Sequence, residues 1–525
     1  YEVHWRDWSS DVCSSDLTGT VNLNDPGARL ALEGNGTTTI NAGVVVRGQG
    51  NLGQANFFGG THNLVNTGRI SADVAGGTLN IVPGAGSGGV TNNGVLEAIN
   101  GGTLLLSTGV SGGPGGQIAA GAGSSVVQSG VTISGVINTS GSGLFSANSS
   151  GANILSGVTL NGTVDMTAIG SSRERIQDGL TMTGGTFNIA NGGIVSIMTG
   201  DQTLGGTGVF NLNDSGARFA LEGTSTTTIG SNIVIRGQGN IGQANIAGGT
   251  HHLINTGRIS ADVAGGTLTV VPGAGSGGVF NKALMDARGG GTLQFTSVGV
   301  DNTGGIIDAQ NASVVLQSGS TIVGGTISRS GSGVFQPNSS SANFLDSVTL
   351  TGVIDMTTVG SSRERISNNL TFAGGRMDIG NGGILSMNGG TQALLGTGAV
   401  NLNDSGARLA LEGNGTTTIG AGVTVRGQGN IGQPIIAGGT HNLINQGTIL
   451  ADGGTLAIVP GGGSGSFTNN GLLHANGGTL NVSPVLQGNG TLRVSGTGQV
   501  NLSTGGTNTT GVLDHAGTNA GSLNL

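Results

Sequence analysis

Along most of the chain, apolar and polar residues alternate with a period of two. ARLALEG from Ala28, TLNIV from Thr78 and SVVLQ from Ser313 are typical runs. Such alternation, rich in Val, Ile and Leu, predicts short strands with one face buried. Gly, Asn, Ser and Asp separate the runs and predict turns. No segment of ten or more residues shows a capped 3.6-residue period, so no significant helix is expected. In these strands Leu30 and Leu32, Leu79 and Ile81, and Leu221 are expected to point inward.

The runs recur on two nested periods. TVNLNDPGARLALEG from Thr20 returns as VFNLNDSGARFALEG from Val209 and AVNLNDSGARLALEG from Ala399. Asn22, Asn211 and Asn401 are therefore 189 and 190 residues apart. GTHNLVNTGRI from Gly60 has counterparts from Gly249 and Gly439, and SSRERI occurs at Ser171 and Ser361. This organises the chain as block 1 (18–206), block 2 (207–396) and a partial block 3 (397–525) of one solenoid. Within each block a shorter unit repeats: Gly305 and Gly325 are 20 residues apart, Gly68 and Gly94 are 26 apart. A unit this short cannot bury its apolar face alone, but stacked units can. The expected fold is all-β, a right-handed parallel β-helix (β-solenoid) with roughly 20–25 residues per coil, the handedness following the rule for parallel crossovers. Asn66, Asn255 and Asn445 share one N-x-G place in their blocks. They are expected either to stack as amide ladders or to sit exposed in turns.

Composition agrees. Glycine supplies 110 of 525 residues without a G-X-Y period, which excludes collagen and suits tight coil corners. The net charge is −8 and Lys282 is the single lysine, so no basic stripe for nucleic acid exists. No apolar run approaches the ~18–20 residues of a spanning helix. Residues 1–17 stand apart: they hold the only Tyr (Tyr1), both Trp (Trp5, Trp8) and the only Cys (Cys13). Residues 6–17 resemble a translated sequencing adapter, so 1–17 are expected to be a non-native leader outside the solenoid. The natural start, with any secretion signal, is then expected to lie upstream.

The G-G-T-L strand starts (Gly76–Leu79, Gly101–Leu104, Gly265–Leu268, Gly453–Leu456, Gly477–Leu480) and the N-x-G-x-I turns (Asn66–Ile70, Asn255–Ile259, Asn445–Ile449) carry a family resemblance. The chain resembles bacterial autotransporter passengers and filamentous-haemagglutinin-like β-solenoid adhesins. The resemblance implies an extracellular location at the bacterial cell surface, and host or environmental glycans or surface proteins as partners.

Candidate chemistry is judged against repetition, because a catalytic site is normally built once. GQGNLG (Gly48–Gly53) fits G-x-G-x-x-G but recurs at Gly237 and Gly427, with strand signals rather than a helix after it. It reads as a turn. Asp25, Asp214 and Asp404, with Arg29, Arg218 and Arg408, read as surface turns and ion pairs rather than a calcium site. Arg173–Glu174–Arg175 and Arg363–Glu364–Arg365 read as solvated turns, with an anionic-ligand contact as the functional alternative. Asp286, Asp301, Asp308, Asp346, Asp378 and Asp514 lie outside the strict repeats. Asp286 and Asp308, 22 residues apart and near Lys282 and Arg288, are the best catalytic pair and are expected to stack on one outer face. Glu97 at the place of Asp286 in block 1 makes that acid look like part of the coil. His62, His251, His252 and His441 are repeat-borne, and His474 and His515 isolated; no metal set follows. No catalytic, cofactor-binding or metal residue is assigned. The sequence therefore predicts a non-catalytic cell-surface stalk or adhesin fragment that mediates adhesion or aggregation. The alternatives are a glycan-active β-helix enzyme and a structural spacer without a specific ligand. Open strand ends add an expectation of end-to-end self-association.

Overall fold

A computed structural model describes residues 18–502, 505–516 and 521–524 of the chain. The leader assigned to residues 1–17 lies outside the described residues. The fold is a parallel β-solenoid of about 22 coils, each of about 23 residues. Among the described residues there is no α-helix, and helical geometry is confined to 3₁₀ turns at Pro83–Gly86, Pro272–Gly275 and Pro460–Gly463. The chain divides into two compact units. One runs up to Met198 and includes Gln202–Asn211; the other holds Thr199–Asp201 and the chain from Leu212 onward.

A typical coil contains three short strands, such as His62–Asn66, Arg69–Ala72 and Thr78–Ile81. Each pairs in parallel with the corresponding strand one coil on: Thr78–Ile81 with Thr103–Leu106, and that with Ser125–Gln128. In-register pairing turns the period-two alternation into inward columns. Leu79, Leu104, Val126 and Phe145 stack in successive coils and are all buried. Leu32, Leu79, Ile81 and Leu221 face the core as expected. Leu30 is only half-buried, in a strand of two residues (Arg29–Leu30). Its counterparts Phe219 and Leu409 sit in four-residue strands and are fully buried.

The repeated asparagines form internal ladders. Asn255 Nδ2 donates to Asn281 Oδ1 at 2.8 Å, and Asn281 Nδ2 to Asn302 Oδ1 at 2.7 Å. Asn66 donates to Asn92 (2.8 Å) and Asn445 to Asn469 (2.7 Å) in the same way. Each leading amide also donates to a backbone carbonyl, of Val95, Leu284 or Leu472. The register partners preceding the ladders are Ile40, Ile229 and Ile419. An isoleucine offers no donor, and the Oδ1 of Asn66, Asn255 and Asn445 is buried without a hydrogen bond.

The G-x-G corner shows why glycine is needed. Gly48 has φ +116° and Gly50 φ +122°; a Cβ on Gly48 would lie 1.9 Å from the Leu23 carbonyl oxygen. The strand Gly50–Leu52 follows, so this string turns the chain onto the next side of the coil.

Replacing Leu221 by Asp places an unpaired charge in this core. Chemical denaturation is expected to show a loss of more than about 4 kcal/mol; an unchanged midpoint would disprove the inward register.

Candidate functional site

The Arg-Glu-Arg clusters are not solvated turns. They open the strands Arg173–Ile189 and Arg363–Ile379. Alternation sends the arginines outward and Glu174 and Glu364 inward, where both are fully buried. In the next coil they face Val195 and Leu385. One carboxyl oxygen of each accepts the N–H of the following arginine at 3.2 Å; the other, Oε2, has no partner. Burial raises both carboxyls well above the usual range, the backbone N–H opposing it more weakly. Arg365 is taken up by the coil: its guanidinium lies 4.4 Å over the Phe344 ring, and it donates to the Ser341 carbonyl and the Asn388 side chain.

A second set of glutamates serves the repeat differently. The Glu222 carboxylate accepts three successive backbone N–H groups one coil on, from Asn245, Ile246 and Ala247, with closest distances of 3.0, 2.8 and 2.9 Å. Glu412 does the same for Ile435, Ile436 and Ala437, and Glu33 for Asn56, Phe57 and Phe58. Those amides, led by Phe58, hold the Glu33 carboxyl below its ordinary value. The loop so pinned is apolar at its tip: Phe57 is 74% exposed, Phe58 72%, Ile246 49% and Ile436 45%.

The repeated histidines support the same corner. His251 and His441 are buried. Nδ1 of each lies 3.0 Å from the carbonyl oxygen of Glu222 or Glu412. Nε2 lies 2.8 Å from the Thr227 hydroxyl or 2.9 Å from that of Thr417. The carbonyl only accepts, so Nδ1 carries the proton and Nε2 accepts from the threonine. Burial lowers both histidines' proton affinity, and in His251 the neighbouring His252 adds to it. His62 makes the same contacts to Glu33 and Thr38. His252 meets the Phe280 ring edge-on, and His474 contacts the Ser495 hydroxyl. Among the described residues no group of three or more His, Cys, Asp or Glu side chains is placed to hold a metal ion.

Asp286 and Asp308 are direct register partners, as their spacing predicts. Asp286 is nonetheless fully buried beneath Arg258, which grips it through Nε–Oδ1 at 2.9 Å and Nη2–Oδ2 at 2.6 Å. Arg288 approaches it at 4.0 Å, and Asp308 accepts from Ser328 at 2.6 Å. In block 1, Glu97 is bound by Arg69 and the Ser71 hydroxyl, so the pairing of arginine with this acid belongs to the coil. Asp301 pairs with Lys282, Asp378 with Arg376 and Asp514 with Arg493, while Asp346 receives Asn368. Asp25, Asp214 and Asp404 each accept the N–H two residues on, as turn residues do. Arg408 reaches Gln433 in the next coil.

Two opposite pH effects follow. Glu364 has a raised folded-state pKa, so its stability contribution is complete below the ordinary carboxyl value of about 4.3 and is lost as pH rises from there toward the folded value. Glu364→Gln is expected to raise stability at pH 7.5 by about 1–3 kcal/mol, with the difference vanishing near pH 4 in denaturant titrations. His441 has a lowered folded-state pKa, so its contribution is complete above about 6.5 and is lost as pH falls through the folded value. Protection of the Ile436 and Ala437 amides, taken as exchange relative to the intrinsic rate at each pH, is expected to fall in acid, and less so in His441→Gln.

No protein-family model and no curated protein matches this chain.

Proposed function

We propose that the chain is a non-catalytic stalk at the bacterial cell surface whose repeated, rigidly held apolar loop tips mediate adhesion or aggregation. The observation carrying this reading is the pinned loop. In each block one glutamate fixes three successive amides and leaves Phe57 and Phe58, Ile246 or Ile436 standing in solvent. A coil needs no exposed phenylalanine, and eight of the twelve phenylalanines are in the core. A backbone fixed in advance loses little entropy when its side chains bind, and exposed aromatic anchors are typical of binding hot spots. Repetition adds avidity at no cost in new contacts. The resemblance to autotransporter passengers and filamentous-haemagglutinin-like adhesins supports the same reading.

The glycan-active enzyme is the second reading, favoured by the stacking of Asp286 on Asp308. The bidentate hold of Arg258 on Asp286 weighs against it, since a paired carboxylate is a poor base.

Displayed on a non-adherent bacterial strain, the full chain is expected to cause settling or surface attachment. Replacing Phe57, Phe58, Ile246 and Ile436 together by Ser is expected to abolish this while leaving the fold intact. Neither settling nor attachment by the parent would favour a plain spacer, and depolymerisation of a polysaccharide panel would favour the enzyme.

A further inference from the structure

The three blocks differ at one corner, and the difference opens a cleft. Blocks 1 and 2 read Ala-Asp-Val-Ala-Gly-Gly-Thr at 72–78 and 261–267; block 3 reads Ala-Asp-Gly-Gly-Thr at 451–455, two residues shorter. In block 1 the Val74 side chain packs beside Gln49: a Cβ on Gly77 would lie 3.0 Å from Val74 Cβ and 2.6 Å from Gln49 Oε1. Gly77 and its counterpart Gly266 are buried. The equivalent Gly454 is exposed. Where the Val-Ala pair is missing, a cavity of about 380 Å³ lies open, lined by Asn401, Asn403, Arg426, Gln428, Asp452 and Gly453 among others.

Three successive coils build this cleft. Asn401 and Arg426 are register partners, and Asp452 comes from the coil after. Its polar groups are held in place. Arg426 pairs with Asp452, Gln428 Nε2 donates to the Asn403 carbonyl at 3.2 Å, and Asn401 Nδ2 donates to Asp378 at 2.6 Å. The same ion pair and Gln contact exist in blocks 1 and 2 (Arg47–Asp73 with Gln49, Arg236–Asp262 with Gln238). The constellation is therefore part of the coil, and what is particular to block 3 is the shorter corner beside it, which leaves Gly454 exposed where Gly77 and Gly266 are buried.

We infer that this cleft in block 3 binds a neutral saccharide unit through its hydroxyls. Side-chain amides both donate and accept, as adjacent sugar hydroxyls do. The Arg426 charge is met by Asp452, so the site does not select an anion. No aromatic ring lines it, which leaves hydrogen bonding rather than stacking as the source of affinity. Its volume lies near the lower end of the ~300–1,000 Å³ usual for small-ligand clefts, and its lining is far more polar than theirs. This deepens the adhesive reading by naming one ligand class; the test below uses soluble sugars and no cells, so it can fail while adhesion through the apolar tips stands, and the reverse.

The test is saturation-transfer difference NMR on the full chain with galactose, mannose and N-acetylglucosamine in turn, each at about 10 mM, where a millimolar site fills. At least one sugar is expected to receive saturation. Insertion of Val-Ala after Asp452, which restores the corner of blocks 1 and 2, is expected to remove the signal. If that variant does not fold, the pair Asn403→Ala and Gln428→Ala decides, with an expected weakening of about tenfold. No transfer to any of the three sugars, or transfer undiminished in a folded variant, overturns the inference.

Discussion

Every part of this molecule depends on one constraint: a strand can satisfy its backbone only by pairing with the same strand one coil away. Parallel pairing fixes the register, and register makes residues about 23 positions apart vertical neighbours. A slip of one residue would turn each inward column outward. The Leu79–Leu104–Val126–Phe145 column and the Asn255–Asn281–Asn302 ladder are products of the same alignment. So are the corner glycines, because only a residue without Cβ clears the carbonyl of the coil next to it.

Stacking also decides how polar groups survive inside. An asparagine beneath another asparagine extends a chain of amide hydrogen bonds, and only the leading oxygen, facing isoleucine, goes without. Glu222 and Glu412 are buried yet retain three N–H donors each. Glu174 and Glu364 have Val195 and Leu385 as neighbours and a single backbone donor, so desolvation dominates them. These two glutamate environments thus differ through what the adjacent coil supplies, with the side chain itself unchanged.

On the outside the chain is charge-poor, and its ion pairs mostly join one coil to another, as Lys282 to Asp301 and Arg493 to Asp514 do. Exposed pairs of this kind add little stability, but they tie up the carboxylates that a catalytic reading would need. The wall is interrupted at the pinned apolar loops and at the shortened corner of block 3, the two places on which the proposed binding rests. Both are departures from a uniform coil wall, and both are held rigidly by it.

The alternation of apolar and polar residues determined the strands, and the repeat determined that they stack. Those two facts were enough to place Leu32, Leu79, Ile81 and Leu221 inside and Asp286 beside Asp308, because side of strand and coil spacing are linear properties of the sequence. The buried place of Glu174 was also written in the R-E-R-I alternation, but a charge is expected outside, and only the folded coil shows it accepted within. The asparagine ladders needed the structure to choose between two geometries that share one sequence signature. The glutamate-pinned loops were decided by tertiary structure alone; the shortened corner at 451–455 is visible in the sequence, but that it leaves a cleft there is decided by the fold. Both depend on which backbone groups and side chains of a neighbouring coil converge at a corner, and that convergence is set by loop paths in space, which no spacing along the chain records.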